Sequence, residues 1–280
     1  EQYLGVKGEY PDTLVFFRMG DFFELFFEDA EIAARELQIA LTSRNPGAEN
    51  PVPMCGMPHH AIDEYLRQLL DKGYKVALCD QIEDPKQAKG LVRRAVTRVL
   101  TPGTVVEDIN LSAKGHNFLG ALYWDADQGG GLAWVDFSTG TWSGIQTKNE
   151  AVLWQWLVKM NPRELLLTET QPLPKGLEQW QAKLSRYPQK SYFDGRGAED
   201  KILRAQAVAS LQTLDLDDKP ALTRCCGALL TYLELTQKRD LTHLAPFTPL
   251  DLSSTLLLDE VTERNLELFK TMDGGKGRGT

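Results

Sequence analysis

The chain has 280 residues, 42% of them apolar and 25% charged, the make-up of an ordinary globular protein long enough for about two domains. No apolar stretch approaches the roughly 20 residues that span a bilayer, and no basic segment leads into an apolar core and cleavage site, so a cytoplasmic protein is expected. The formal net charge of −8 excludes a protein that holds nucleic acid by a broad basic face alone. Cys55, Cys79, Cys225 and Cys226 lack CxxC or Cys/His spacing suited to zinc, and read as buried, reduced thiols.

Residues 1–12 form a polar lead-in with no assigned element. Leu14 to Met19, rich in Val and Phe, predicts a strand. Gly20 then lets the backbone turn, and Met19-Gly20-Asp21-Phe22-Phe23-Glu24-Leu25-Phe26 passes into a run with helical period from about Glu24 to Leu41. In the extended part, Phe22 and Glu24 project to one side and Phe23 to the other. Two readings compete here. Either the phenylalanines plug a core beneath a helix whose first turn Glu24 favours, or Phe22 is an exposed wedge with a carboxylate beside it.

The stretch from Thr42 to Pro53 holds Asn45-Pro46-Gly47 and Asn50-Pro51 and predicts a loop, with Arg44 inside it. Pro53 to Ala61 reads as irregular, with His59 and His60 in loop or packing roles. A short helix through Leu66 and Leu70 stops at Gly73, and Tyr74 to Ile82 is a strand with Val76 and Leu78 on one face. Asp84-Pro85 is an N-cap with proline at the first helical position, and Val92 to Leu100 is a further strand before the turn at Pro102-Gly103. Alternating strands and helices predict an α/β module with a mixed sheet. Lys86, Lys89, Arg93, Arg94 and Arg98 fall between Pro85 and Arg98 with no acidic residue among them. They are either a solvated face or phosphate contacts.

A second domain begins near Val105. Asn117 to Trp124, Gly131 to Phe137 and Thr141 to Ile145 are strands joined by turn-rich segments, which predicts an antiparallel meander. A helix over Glu150 to Met160 leads to a buried strand, Glu164 to Leu167. Leu177 to Leu184, Glu199 to Leu211 and Pro220 to Leu235 each have helical period. Asp125, Asp127 and Asp136 are either turn and capping residues or carboxylates for two divalent metals. Pro249 to Leu258 and Val261 to Met272 open a third unit. Gly274-Gly275-Lys276-Gly277 lacks the GxxxxGK[ST] pattern of a phosphate cradle, so no nucleotide site or other cofactor site is expected in these residues.

Four separated motifs follow one another in the first hundred residues: Phe16-Phe17-Arg18-Met19-Gly20-Asp21-Phe22-Phe23-Glu24-Leu25-Phe26, Leu41-Thr42-Ser43-Arg44, Pro53-Met54-Cys55-Gly56-Met57-Pro58-His59-His60-Ala61 and Gln81-Ile82-Glu83-Asp84-Pro85. Together they resemble the amino-terminal part of the MutS family of bacterial DNA mismatch-recognition proteins. The resemblance implies a mixed-sheet mismatch-recognition domain over 1–104, a ribonuclease H-like connector over 105–245, and over 246–280 the truncated start of a mostly helical core. It implies that Phe22 stacks on a mispaired base and Glu24 hydrogen-bonds to it, with Met19 and Arg44 at the DNA. Here Phe23 and His59 each stand where the family commonly has Tyr. The implied partners are duplex DNA with mismatches or small loops, MutL partly through the connector, and a second copy in the full-length form, nucleoid-associated on DNA. ATP and magnesium would act in an ATPase region beyond position 280. The alternatives are a related reader of branched or looped DNA, and a metal nuclease built on the second domain.

Overall fold

The computed structural model describes residues 2–83, 92–104, 117–127, 129–172, 183–238 and 241–252. Helix α1 (Gln2–Glu9) precedes strand β1 (Leu14–Met19), strand β2 (Phe22–Phe26) and helix α2 (Phe27–Leu37). Strands β3 (Thr42–Arg44) and β4 (Val52–Pro58) follow, then a 3-10 turn over His59–Ala61 and helix α3 (Ile62–Asp71). Strands β5 (Val76–Gln81) and β6 (Arg94–Leu100) complete a sheet of order β3-β4-β2-β1-β5-β6. Only β1 and β5 run parallel in it; the other pairs are antiparallel.

The run Leu-Val-Phe-Phe in β1 is continuously apolar because both faces of the sheet are covered at that point. Leu14 and Phe16 join Phe23, Leu25 and Leu66 beneath α2 and α3. Val15 and Phe17 join Tyr3, Phe26 and Val96 beneath α1. Helix α1 is pinned by Asp29, a buried carboxylate that accepts hydrogen bonds from the Tyr3 hydroxyl at 2.6 Å and the Val15 amide at 3.0 Å and pairs with Lys7 at 2.8 Å. Burial and the Asp29 hydrogen bond push the Tyr3 phenol far above its ordinary range.

In the second sheet, β7 (Phe118–Asp125), β8 (Gly129–Asp136) and β9 (Thr141–Thr147) form the expected antiparallel meander. Helix α4 (Glu150–Met160) leads to β10 (Glu164–Thr168), which lies parallel to β7 on one side and to β11 (Leu184–Tyr187) on the other. A short α5 (Gln189–Tyr192), α6 (Gly195–Gln206) and α7 (Pro220–Gln237) follow, and β12 (Thr248–Pro249) closes the order β11-β10-β7-β8-β9-β12. Helices α6 and α7 cover one face and α4 the other, so the fold is a mixed-sheet α/β module followed by a ribonuclease H-like one. No helix among the described residues is long and apolar enough to cross a membrane.

Several expectations change. The lead-in contains α1, whose one deeply buried side chain, Tyr3, gave little periodicity to read. The helix expected from Glu24 begins at Phe27, because residues 22–26 are held extended between β1 and β4 and the ladder overrides helical period. The expected loop over 42–53 contains β3 and the start of β4, paired from Thr42↔Met54 to Arg44↔Val52. Leu184 opens a strand, and the helix placed at Glu199 to Leu211 runs from Gly195 to Gln206, started by the Asp194 side chain accepting from the Gly197 amide at 2.7 Å. The expected elements after Asp84-Pro85, over 177–182, and beyond residue 252 lie outside the described residues.

The two sheets meet around Glu164, which is 2% exposed. Its carboxylate accepts from the Tyr232 hydroxyl at 2.6 Å, the Ser185 hydroxyl at 2.7 Å and the Gly103 amide at 3.3 Å, and pairs with Lys75 at 3.1 Å. The Lys75 ammonium also lies 5.5 Å and 5.4 Å from the ring centres of Tyr187 and Tyr232. Burial alone would raise the Glu164 carboxyl, but the Lys75 charge and these hydroxyl donors hold it below its ordinary value.

Candidate nucleic-acid interface

The β1–β2 connection is a two-residue hairpin, since Met19 pairs with Phe22 and only Gly20 and Asp21 lie between. Gly20 has φ +60° and Asp21 has none of the positive-φ character, which is the II′ arrangement with glycine at the first central position. Side chains alternate across the sheet from there. Phe23 and Leu25 enter the core beneath α2 and α3, while Phe22, Glu24 and Phe26 share the opposite face.

Helix α1 covers only one end of that face. Tyr3 sits edge-on to Phe26 with ring centres 5.2 Å apart. Beyond it, Phe22 is 48% exposed, against 2% for Phe23. Glu24 is half-buried, and among the described residues its carboxylate has no hydrogen-bond or ion-pair partner. Opposite Glu24 stands Gly56, so no side chain shades the carboxylate from that strand.

The pleat brings Met19, Phe22 and Glu24 together at the hairpin and leaves Arg44 apart from them. Met19 faces Phe22 across the hairpin, whereas Arg44 lies toward the other end of the same face, on β3 opposite Val52, its guanidinium 5.7 Å from the Phe26 ring centre. Arg93 is exposed, and its backbone amide donates to Glu83 at 2.6 Å. Arg94 lies with its guanidinium 5.2 Å from the Phe17 ring centre, and two of its nitrogens donate to backbone carbonyls, of Arg18 at 2.8 Å and of Val92 at 3.0 Å. Lys86 and Lys89 lie outside the described residues.

Three residues not selected from sequence shape the hairpin. Gly56 leaves Glu24 open, and Arg18 donates to the Gly20 carbonyl while its guanidinium rests 5.4 Å from the Phe23 ring centre. His59 stacks on Phe23 with ring centres 5.7 Å apart, and its amide donates to the Asp21 carbonyl at 2.8 Å. The two positions that depart from the commoner Tyr thus pack on each other. Their contact was hidden in the sequence because 35 residues of chain separate them.

The second sheet does not assemble a two-metal site from the proposed carboxylates. Asp125 pairs with Gly129 at one end of the β7–β8 hairpin, and Asp136 pairs with Phe118 at the other. Seven residue steps at about 3.3 Å put them roughly 23 Å apart, far beyond the ~4 Å spacing of a two-metal centre. Asp125 accepts from the Asp127 amide at 2.9 Å, and Asp136 accepts from the Ser138 amide and hydroxyl at 3.1 Å and 2.7 Å. These are turn and capping roles.

A family profile described as MutS domain I matches residues 1–109, and one described as MutS domain II matches residues 117–245. The DNA mismatch repair protein MutS of Oleidesulfovibrio alaskensis is 62% identical over 281 residues, covering 100% of this chain and 31% of that protein. The protein of the same name from Nitratidesulfovibrio vulgaris is 60% identical over the whole chain and 31% of its own length. That from Dehalococcoides mccartyi strain CBDB1 is 42% identical, covering 100% of this chain and 32% of the relative. The chain therefore spans about a third of the length of the curated relatives it matches.

Proposed function

The chain belongs to the MutS family, and on that premise we propose that its first sheet reads mispaired or unpaired bases in duplex DNA, with Phe22 as the wedge. The observation that carries this reading is the 48% exposure of Phe22 at a hairpin tip whose neighbours Phe23 and Leu25 are fully packed. Entering from the minor groove, the ring stacks on a displaced base. Stacking of one base on an aromatic ring is worth about 1–3 kcal/mol by alanine substitution, while opening a base step costs about a few kcal/mol. At an intact step the two nearly cancel; at a defective step the cost falls and insertion wins.

Glu24 supplies the discrimination. The negative potential of the phosphates repels a carboxylate, so Glu24 helps only where a displaced base offers it a hydrogen-bond donor. The open lane over Gly56 and the absence of an internal partner among the described residues leave the group available for that bond. Arg44 and Arg93 are assigned to phosphates, with Met19 against the minor groove beside the wedge. Lys86 and Lys89 are assigned to the same strand on charge alone. With a formal net charge of −8, the chain needs the rest of the intact protein for tight binding. Dimerisation, coupling to ATP and magnesium, and recruitment of MutL through the second sheet are assigned to the intact protein on family membership.

The test is Phe22→Ala in the intact protein, assayed against matched, mismatched, looped and branched duplexes. Mismatch preference is expected to fall about tenfold or more, at the stacking energy quoted above, with matched-duplex affinity little changed. Unchanged heteroduplex affinity would reject the wedge, and a loss confined to branched substrates would make the protein a reader of that defect instead.

A further inference from the structure

We propose that Arg94 is a positioning residue for the wedge, acting as a substitute strand along the unsupported edge of the β1–β2 hairpin. The inference rests on the wedge reading and deepens it. The parallel ladder between β1 and β5 ends at Phe17↔Cys79. Arg18 and Met19 continue past it, paired only on their other side, with Phe23 and Phe22 of β2. The outward carbonyl of Arg18 therefore has no strand to accept from, at the point where the wedge is carried.

Arg94 fills that vacancy from two strands away. It pairs with Gln81 on β5, and its side chain crosses β5 on the face occupied by Phe17 and Val96. Its Nε donates to the Arg18 carbonyl at 2.8 Å, a second nitrogen donates to the Val92 carbonyl at 3.0 Å, and the guanidinium plane is steadied 5.2 Å from the Phe17 ring centre. Arg18 then donates to the Gly20 carbonyl within the turn itself. A planar fork of donors suits this bridging role, and an ammonium, with a point charge and no plane to stack, does not. Phe22 is the next residue but one after Gly20, so a shift of the turn moves the ring by a comparable distance.

This role and a phosphate contact make opposite forecasts. Arg94→Lys and Arg94→Met are compared in the intact protein on matched and mismatched duplexes over a range of salt. Positioning predicts that both variants lower the mismatch-to-matched affinity ratio about five- to tenfold, as loss of one typical hydrogen bond would, while matched affinity and the salt slope stay as they are. A phosphate contact predicts that Met weakens both duplexes alike and lowers the salt slope by about one, while Lys is tolerated; that result, or an unchanged ratio, overturns the proposal. Hydrogen exchange supplies an arm independent of DNA: the amides of Gly20 to Phe22 should exchange at least about tenfold faster in Arg94→Lys, with those of the buried β1 residues unchanged. Equal exchange at the turn also overturns it. Phe22→Ala run alongside separates the two ideas, because a mismatch preference that survives it rejects the wedge while the exchange arm still decides the brace.

Discussion

Removing the Glu164 carboxylate should loosen the joint between the two sheets, and the structure sets the size of the effect. Glu164 lies at the head of β10 and Lys75 immediately before β5, so their 3.1 Å contact ties β5, the strand beside β1, to the second sheet. In Glu164→Ala, the Ser185 and Tyr232 hydroxyls and the Lys75 ammonium lose their shared acceptor. Breaking a buried pair from one side costs about 3–5 kcal/mol. The Lys75 side chain is 22% exposed and keeps the Tyr187 and Tyr232 rings, so the lower end of that range, about 3 kcal/mol, is expected. For a chain of this size that is a fall of roughly 6–12 °C in melting temperature. Glu164→Gln, which can still accept hydrogen bonds, should cost about half as much. The pH arm has a definite sign. The folded carboxyl titrates below its ordinary value of 4.5, so its contribution is complete above that value and is lost as pH falls through the folded value. Lys75, although burial alone would lower it, is raised above 10.5 by Glu164, so its share persists through neutral pH and is lost only at higher alkalinity. Thermal melts between about pH 3 and 7 should therefore fall more steeply for the native chain than for Glu164→Gln. A cost under about 1 kcal/mol for Glu164→Ala, or identical acid slopes for native and Gln chains, would refute the reasoning.

Gly56→Leu should fold, because a Cβ there meets the Phe23 carbonyl oxygen at 3.4 Å and the Glu24 Cγ at 3.6 Å, both tolerable. Its side chain would shade Glu24, so mismatch discrimination in a binding titration should drop while stability changes by less than about 1 kcal/mol. Gly227→Ala tests the α6–α7 crossing: the added carbon would lie 2.6 Å from the Ala198 Cα, and urea unfolding should report a loss of about 1–3 kcal/mol. The cysteines should be inert in the native chain. Burial pushes the Cys55 and Cys79 thiols up to about 11, and Cys225 and Cys226 higher still. Alkylation near neutral pH should label none of the four until the chain is unfolded, and rapid native labelling would contradict their burial.

What the sequence disclosed about the fold follows from how far each signal travels along the chain. The β7–β8–β9 meander was legible because its strands and turns are consecutive and each strand is paired with the next. Helix α7 was legible because 18 residues without an interior break carry their own period. The β3–β4 hairpin was not, because Asn45-Pro46-Gly47 and Asn50-Pro51 dominate the local pattern and only the pairing with β2 makes Val52–Pro58 a strand. The same holds for residues 24–26, where helical spacing of apolar residues coincides with the alternation of a strand buried on two sides.

The candidate site divides along the same line. That Phe22 and Glu24 share a side was a matter of period two and needed no tertiary information. Why that side is bare did need it, since the answer lies in the reach of α1, which covers Phe26 through Tyr3 and goes no further. The role of Arg94 was legible only as charge. Between Pro85 and Arg98 it looked like its neighbours, yet the β1–β5 ladder stops at Phe17↔Cys79, short of the hairpin tip, and leaves the Arg18 carbonyl for it to hold. A basic run is thus not one functional unit: the pleat turns Arg94 inward as a brace and leaves its neighbour Arg93 at the surface, and substituting the two separately is what distinguishes a reader's grip on the backbone from the rigidity of the finger it inserts.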